Sequence, residues 1–248
     1  MCGLTKEFLG AHNVEFESVV ISEQRERWLA DGSPPVPTLV IDGTAHILQH
    51  PSQAGLLLGL ETPPALRDAV QVARDIDAVA DAWRELVTTT PWDALLTPML
   101  VLNRTPLALA VDACVGLKAL LEPFETGWFH WPGNPVTGET GDQAVVAYEA
   151  SIVATIRTRD DLLAFVRPVC EAWTTFAVDN EGAFRADPAR AVRTPRGELT
   201  WVELLEAQRL HAAQHYRQAA TQVASLGHPV PALDLETFYG MRLPEAIY

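Results

Sequence analysis

Three cysteines in 248 residues, Cys2, Cys114 and Cys170, are too few and too scattered for a disulfide framework, and in a reducing compartment they are free thiols. No apolar run is long enough to span a bilayer; the best stretch, residues 107–121, is interrupted by Asp112 and Lys118. The first twenty residues lack a signal peptide's charged start and apolar middle, so the expected location is cytoplasmic. Positive charge is scarce as well: 18 Lys and Arg against 32 Asp and Glu leave a formal net charge of −14. Without a basic patch or run, nothing displaces counterions from a nucleic acid or meets anionic headgroups. Nucleic acid and membrane are therefore excluded as expected partners, which leaves a small-molecule substrate.

Hydrophobic residues make up 48% of the chain, enough at this length to bury a sizeable core in one large domain or two smaller ones. Composition breaks once. Up to Leu60 short pieces alternate: helical over 2–9, extended over 15–21, helical over 23–30, strands at 38–41 and 45–48, and helical over 51–58. Glu61-Thr62-Pro63-Pro64 then punctuates the chain, and the remainder reads as long helices. The fold class is thus α+β in two parts: a first domain over 1–61, a linker over 62–65 and a helical domain over 66–248.

Within the second part, residues 64–89 carry Ile76, Val79, Ala80, Trp83, Leu86 and Val87 at helical spacing. Thr105-Pro106 opens a second helix through Phe124, with Thr105 as N-cap and Pro106 where a missing N–H is harmless. A loop rich in Gly and Pro covers 127–142. Thr158-Arg159-Asp160-Asp161 starts a third helix to about Val178, its acids favoured by the helix dipole. Thr200-Trp201-Val202-Glu203 is a capping-box signature for a fourth, ending near Gly227. Four helices of this length predict an antiparallel bundle.

The fourth helix carries the chemistry. Trp201, Leu204, Leu205, Gln208, His211, Ala212, His215 and Ala219 recur at three- and four-residue steps, which puts both histidines on the inward face. Imidazoles one turn apart can share a metal ion, since each offers a ring nitrogen. They can equally be core residues bonded to a carbonyl or to water, and only a third ligand decides for the metal.

Cys2-Gly3-Leu4-Thr5-Lys6-Glu7-Phe8-Leu9 looks like the second cysteine of a glutaredoxin Cys-x-x-Cys and its helix. Pro35-Val36-Pro37-Thr38-Leu39-Val40-Ile41-Asp42-Gly43 looks like that family's Val-Pro segment, strand and turn. Pro51-Ser52-Gln53 and Leu57-Leu58-Gly59-Leu60 resemble its closing helix. Residues 2–60 therefore resemble a glutaredoxin, of the thioredoxin superfamily, in truncated form. The strand with the nucleophilic cysteine would precede Met1, and Leu48-Gln49 stands where the family has Gly-Gly. The resemblance implies thiol binding at Cys2, Val36 and Pro37. Disulfide exchange needs an attacking thiolate and a resolving thiol, so Cys2 alone forms at best a mixed disulfide.

From Leu66 onward the chain resembles the DinB-like four-helix-bundle superfamily, which includes mycothiol-dependent maleylpyruvate isomerases and bacillithiol S-transferases. The resemblance rests on His211-x-x-x-His215-x-x-Gln218, on Asn103-Arg104-Thr105-Pro106, and on the tail Met241-Arg242-Leu243-Pro244-Glu245-Ala246-Ile247-Tyr248. In that superfamily a third histidine on the second helix completes a divalent-metal site. Its counterpart here is Asp112. Two histidines and one acid suit Zn, Ni, Fe or Mn. Asp112 can instead pair with Arg104 or Arg217, and His130 is a reserve ligand or a loop residue.

The resemblance implies a metal-dependent enzyme of low-molecular-weight thiol chemistry, either S-transfer to an electrophile or thiol-dependent isomerisation. Its cofactors are a divalent metal and a low-molecular-weight thiol. Tyr216, Arg217 and Gln218, beside the histidines, are the candidates to orient substrate, and a homodimer is compatible. A second reading is a non-catalytic binding or scaffold protein with degenerate sites; a third is a glutaredoxin-type oxidoreductase.

Overall fold

The structure is a computed structural model of the chain, and it describes residues 2–19, 24, 26, 37–48, 50–60, 68–99, 104–129, 141–194 and 197–235. Val36, all but residues 24 and 26 of the helix expected over 23–30, the linker 62–65, Asn103, His130 and the tail 241–248 lie outside the described residues. The chain divides into two compact units, Met1–Ala65 and Leu66–Tyr248. Together they are mostly helical, with two small antiparallel sheets among the described residues.

In the first unit, α1 (Cys2–Ala11) and α2 (Pro51–Leu58) flank a hairpin of β1 (Thr38–Ile41) and β2 (Thr44–Ile47). Val40 pairs with Ala45 and Ile41 with Thr44 across Asp42-Gly43, both at positive φ (49° and 80°). Asp-Gly is the dipeptide that tolerates this geometry, whose twist matches the flanking strands. Phe8 and Leu9 of α1, with Leu48 and Ala54, form the buried cluster of this unit. The sequence predicts a strand over 15–21, but the described part, residues 15–19, forms none. A strand requires a ladder partner, and among the described residues the hairpin is two-stranded.

In the second unit the long helices are α3 (Ala69–Thr89), α5 (Pro106–Ala119), α8 (Arg159–Asp179) and α10 (Trp201–Ser225). Helix α10 packs on α3 and α5, and α8 packs on the same two. Ile76, Trp83, Leu86, Leu109, Leu117, Leu162, Trp173, Leu204 and Leu205 are buried between them. The indole N–H groups of Trp83 and Trp173 donate to Ala212 and Ala73 carbonyls at 3.2 and 3.4 Å, so each large ring is satisfied where it packs. No helix among the described residues is long and apolar enough to cross a membrane.

Two boundaries, and several short elements, differ from the sequence reading. Helix α5 ends at Ala119 rather than Phe124, because Pro123 cannot donate to a continuing ladder; α6 (Pro123–Thr126) restarts there. The stretch read as loop to 142 gives way to α7 (Gly141–Thr155), which packs on α5. Short helices α4 (Trp92–Leu96) and α9 (Glu181–Ala186) and a second hairpin, β3 (Ala191–Thr194) with β4 (Gly197–Thr200), are further elements absent from the sequence reading.

Candidate metal centre

Helix α10 begins where its sequence dictates. Thr200 Oγ1 accepts from the Glu203 N–H, and the Glu203 carboxylate accepts from the Thr200 N–H at 2.7 Å, a reciprocal cap. On its far side from the histidines, Arg209 is held to Asp75 of α3 at 2.9 Å with Arg209 only 1% exposed. Helix α5 is started by Thr105, whose hydroxyl accepts from the Ala108 N–H at 3.1 Å, with Pro106 at the first helical position. Two well-started helices in contact thus set the register between His211 and His215 on one and Asp112 on the other.

The three side chains converge. Asp112 Oδ1 lies 3.0 Å from His211 Nε2, and Asp112 Oδ2 lies 3.1 Å from His215 Nε2. The ligand atoms of all three fall within 4.8 Å of one another. The imidazole rings meet edge to face, with centroids 4.5 Å apart. Arg104 Nη2 donates to Asp112 Oδ2 at 2.7 Å. Glu149 of α7 reaches in from the other direction, with Oε2 at 3.9 Å from the same guanidinium nitrogen.

Burial works against ionisation of Asp112, but the charges and N–H groups of His215 and His211 outweigh it and hold the carboxyl well below its usual range. Burial pushes His211 down more than Asp112 pulls it up, so its ring favours the neutral form that ligates metals. Burial, and next the Asp112 charge, push Glu149 up to about 8.

These residues fit a divalent ion. His215 Nδ1 is 2.9 Å from Gln218 Oε1, an acceptor, so Nδ1 carries a hydrogen and Nε2 is the nitrogen turned to Asp112. Nε2 lies 3.1 Å from Asp112 Oδ2, a contact that either a proton or a metal cation can bridge. Ligands about 2.1 Å from one ion stand about 3.0–3.4 Å apart along a tetrahedral or octahedral edge; each imidazole nitrogen stands at such a distance from one oxygen of the carboxylate, His211 from Oδ1 and His215 from Oδ2. The set is two nitrogens and one oxygen with no thiolate, a donor mix suited to borderline divalent metals.

Gln218 therefore has a specific task. Gln218→Leu, which keeps the volume and removes the acceptor, is expected to weaken metal affinity by roughly 10–100-fold in a chelator-competition titration, whereas Gln218→Glu restores it. A Leu variant that binds as tightly as wild type would remove Gln218 from the site.

Of the other expected site residues, Tyr216 lies apart: its hydroxyl donates to the Pro231 carbonyl at 2.7 Å and its ring stands edge-on to Trp83. Burial, then Glu85, push its phenol up to about 12. It is a packing residue. Arg217 is half-buried and, two residues on, turns about 200° away from His215 around the helix. The nearby cation is Arg104 instead. In the first unit Cys2 is exposed at the start of α1, and Pro37 has its carbonyl accepting from the Leu48 N–H at 2.9 Å.

Glu149 is the residue that the sequence did not single out. A carboxyl whose folded pKa is raised contributes stability that is complete below its unfolded value, near 4.5, and is lost as pH rises through about 8. In the metal-free protein, Glu149→Gln is thus expected to flatten the decline of unfolding free energy between about pH 5 and pH 8. Parallel pH profiles for the two proteins would show that Glu149 titrates normally. No protein-family model matches the chain, and no curated protein matches it in sequence.

Proposed function

We propose that the chain is a divalent-metal-dependent enzyme acting in low-molecular-weight thiol chemistry, by S-transfer to an electrophile or by isomerisation through a thiol adduct. The observation that carries this reading is the convergence of two imidazole nitrogens and one buried carboxylate from two helices. Asp112, His211 and His215 would hold Zn, Ni, Fe or Mn. A divalent ion on three protein donors lowers the pKa of a bound thiol or water and polarises a carbonyl.

The chain's own residues prepare the site. Arg104 holds one oxygen of Asp112, which fixes the carboxylate's rotation toward the histidines. Gln218 fixes the ring of His215. Arg104, one-third exposed, leaves guanidinium N–H groups facing solvent beside the three donors, where a carboxylate on a thiol or substrate can be received. In this reading α3, α5, α8 and α10 are an antiparallel four-helix bundle of DinB-like type, and the first unit is a truncated glutaredoxin-like domain. Two units with thiol-handling likenesses point to one chemistry, by analogy of fold.

The test is thiol transfer from a low-molecular-weight thiol to a chromogenic electrophile, with the metal-reconstituted chain and the His211→Ala variant. Turnover that a chelator abolishes, and that the variant lacks, supports the proposal. Equal rates in the two proteins reject it. The ion pair of Arg104 with Asp112 at 2.7 Å favours a second reading, a non-catalytic binding protein in which the pair is purely structural. In that case the protein retains no metal, and Arg104→Ala destabilises it.

A further inference from the structure

Helix α8 buries Leu162, Val166, Cys170 and Trp173, and it shows a different stripe to the outside. Pro168, Glu171, Ala172, Thr175, Phe176 and Asp179 recur at three- and four-residue steps and line one wall of a groove of about 680 Å³. Leu121, just ahead of α6, and Phe124 and Glu125 of α6 line the other. Phe124 and Phe176 are half-buried and meet edge to face, with centroids 5.4 Å apart. Phe184 and Trp201 pack behind Phe124, so the groove has an aromatic base. It shares no residue with the metal centre.

The rim carries charge of one sign. Glu125, Glu171 and Asp179 line the groove, and among the described residues no Lys, Arg or His does. None of the three carboxylates forms an ion pair among the described residues. Arg74 and Arg185 hold Glu181 instead, and Arg190 lies 5.6 Å over the Phe124 ring. Glu171 also edges the adjoining cleft, where Arg84 holds Asp81 at 2.9 Å and Arg167 pairs with no carboxylate. Asp179 stands against its own helix. It is the last residue of α8, where the macrodipole favours a base, and the last turn holds none. Beside it Asn180 donates its amide N–H to the Phe176 carbonyl at 2.8 Å, which leaves the Oδ1 of this groove residue to accept. A carboxylate and an amide oxygen thus meet at the negative end of a helix, an arrangement that a cation balances.

We propose that this groove binds a linear aliphatic diamine or polyamine, with its terminal ammonium groups on Glu171 and Asp179 and its methylene chain over Phe124 and Phe176. The two acids are eight residues apart, a rise of about 12 Å along α8, which an extended spermidine spans. Glu125, on the opposite wall, is left for the internal amine. The aromatic base receives methylenes as apolar surface and the flanking ammonium groups through the ring faces. At the far end the ligand supplies the positive charge that the last turn of α8 lacks.

Titration calorimetry of the full, chelator-treated chain with spermidine, at about 150 mM salt so that remote charges are screened, reads the affinity. Glu171→Gln combined with Asp179→Asn is expected to weaken binding by at least roughly tenfold. Its Tm should be no lower than that of wild type, since Asp179→Asn removes a charge that the helix end disfavours. Glu7→Gln combined with Glu15→Gln removes the same charge from the first unit and is expected to bind within about twofold of wild type. n-Butylamine, with a single ammonium, is expected to bind at least roughly tenfold more weakly than spermidine. Thr175→Lys, which sets an ammonium inside the groove at an exposed helix position, should abolish binding. No spermidine binding by the wild type, equal affinity in the wild type and the groove variants, equal losses in the groove and remote double variants, or butylamine as tight as spermidine would each overturn the proposal.

Discussion

His215→Ala is expected to weaken divalent-metal affinity by more than about 100-fold while leaving the helical fold in place. Loss of a supporting partner around a metal costs about 10–100-fold, so loss of one of only three donors must exceed that range. His215 is the deeper of the two imidazoles, with its side chain 13% exposed against 29% for His211. Its ring is held by Gln218. The fold should survive because α10 is anchored elsewhere, through Arg209, Ala212 and Tyr216. Competition with a chromogenic chelator measures the affinity and circular dichroism the fold. A loss of less than tenfold with the fold intact would mean that His215 does not ligate.

Asp75→Ala has the largest effect expected on stability, about 3–5 kcal/mol, or a fall in Tm of roughly 6–20 °C. Arg209 is fully enclosed and cannot lose its proton, so removal of the carboxylate at 2.9 Å takes from a buried charge an anion that balances it. Gln71, whose Nε2 donates to Asp75 Oδ1 at 2.8 Å, would lose its acceptor at the same stroke. The cost comes from breaking the pair rather than from the pair's own value. Asp75→Leu combined with Arg209→Met should therefore recover most of the loss. Chemical denaturation of the three proteins checks this, and a single variant within about 1 kcal/mol of wild type would mean that Arg209 finds solvent or another anion.

The helix carrying the centre was legible because its signals are local: a capping box at Thr200 and histidines one turn apart on an apolar face. Asp112 was legible only by counting along its helix, yet the count put the right carboxylate opposite the pair. Glu149 was not legible. It sits on α7, whose apolar residues run around the helix without a clear stripe, Val146 being 64% exposed, and which follows a tract dense in glycine and proline. Its role depends on a long-range approach to Arg104 that no local pattern encodes. The β3–β4 hairpin left a usable trace: Val192, Thr194 and Leu199 alternate inward around Thr194-Pro195-Arg196-Gly197, a turn signal. Adjacency in sequence groups Tyr216 and Arg217 with the histidines, whereas on a helix neighbours diverge by about 100° each.

Elemental analysis of the tag-free protein, wild type beside Asp112→Asn, tests the metal centre most directly. Close to one equivalent of divalent metal in the wild type, and little in the variant after the same reconstitution, is the predicted result. A wild-type protein that retains none, or a variant that retains as much as wild type, would contradict a centre built from Asp112, His211 and His215.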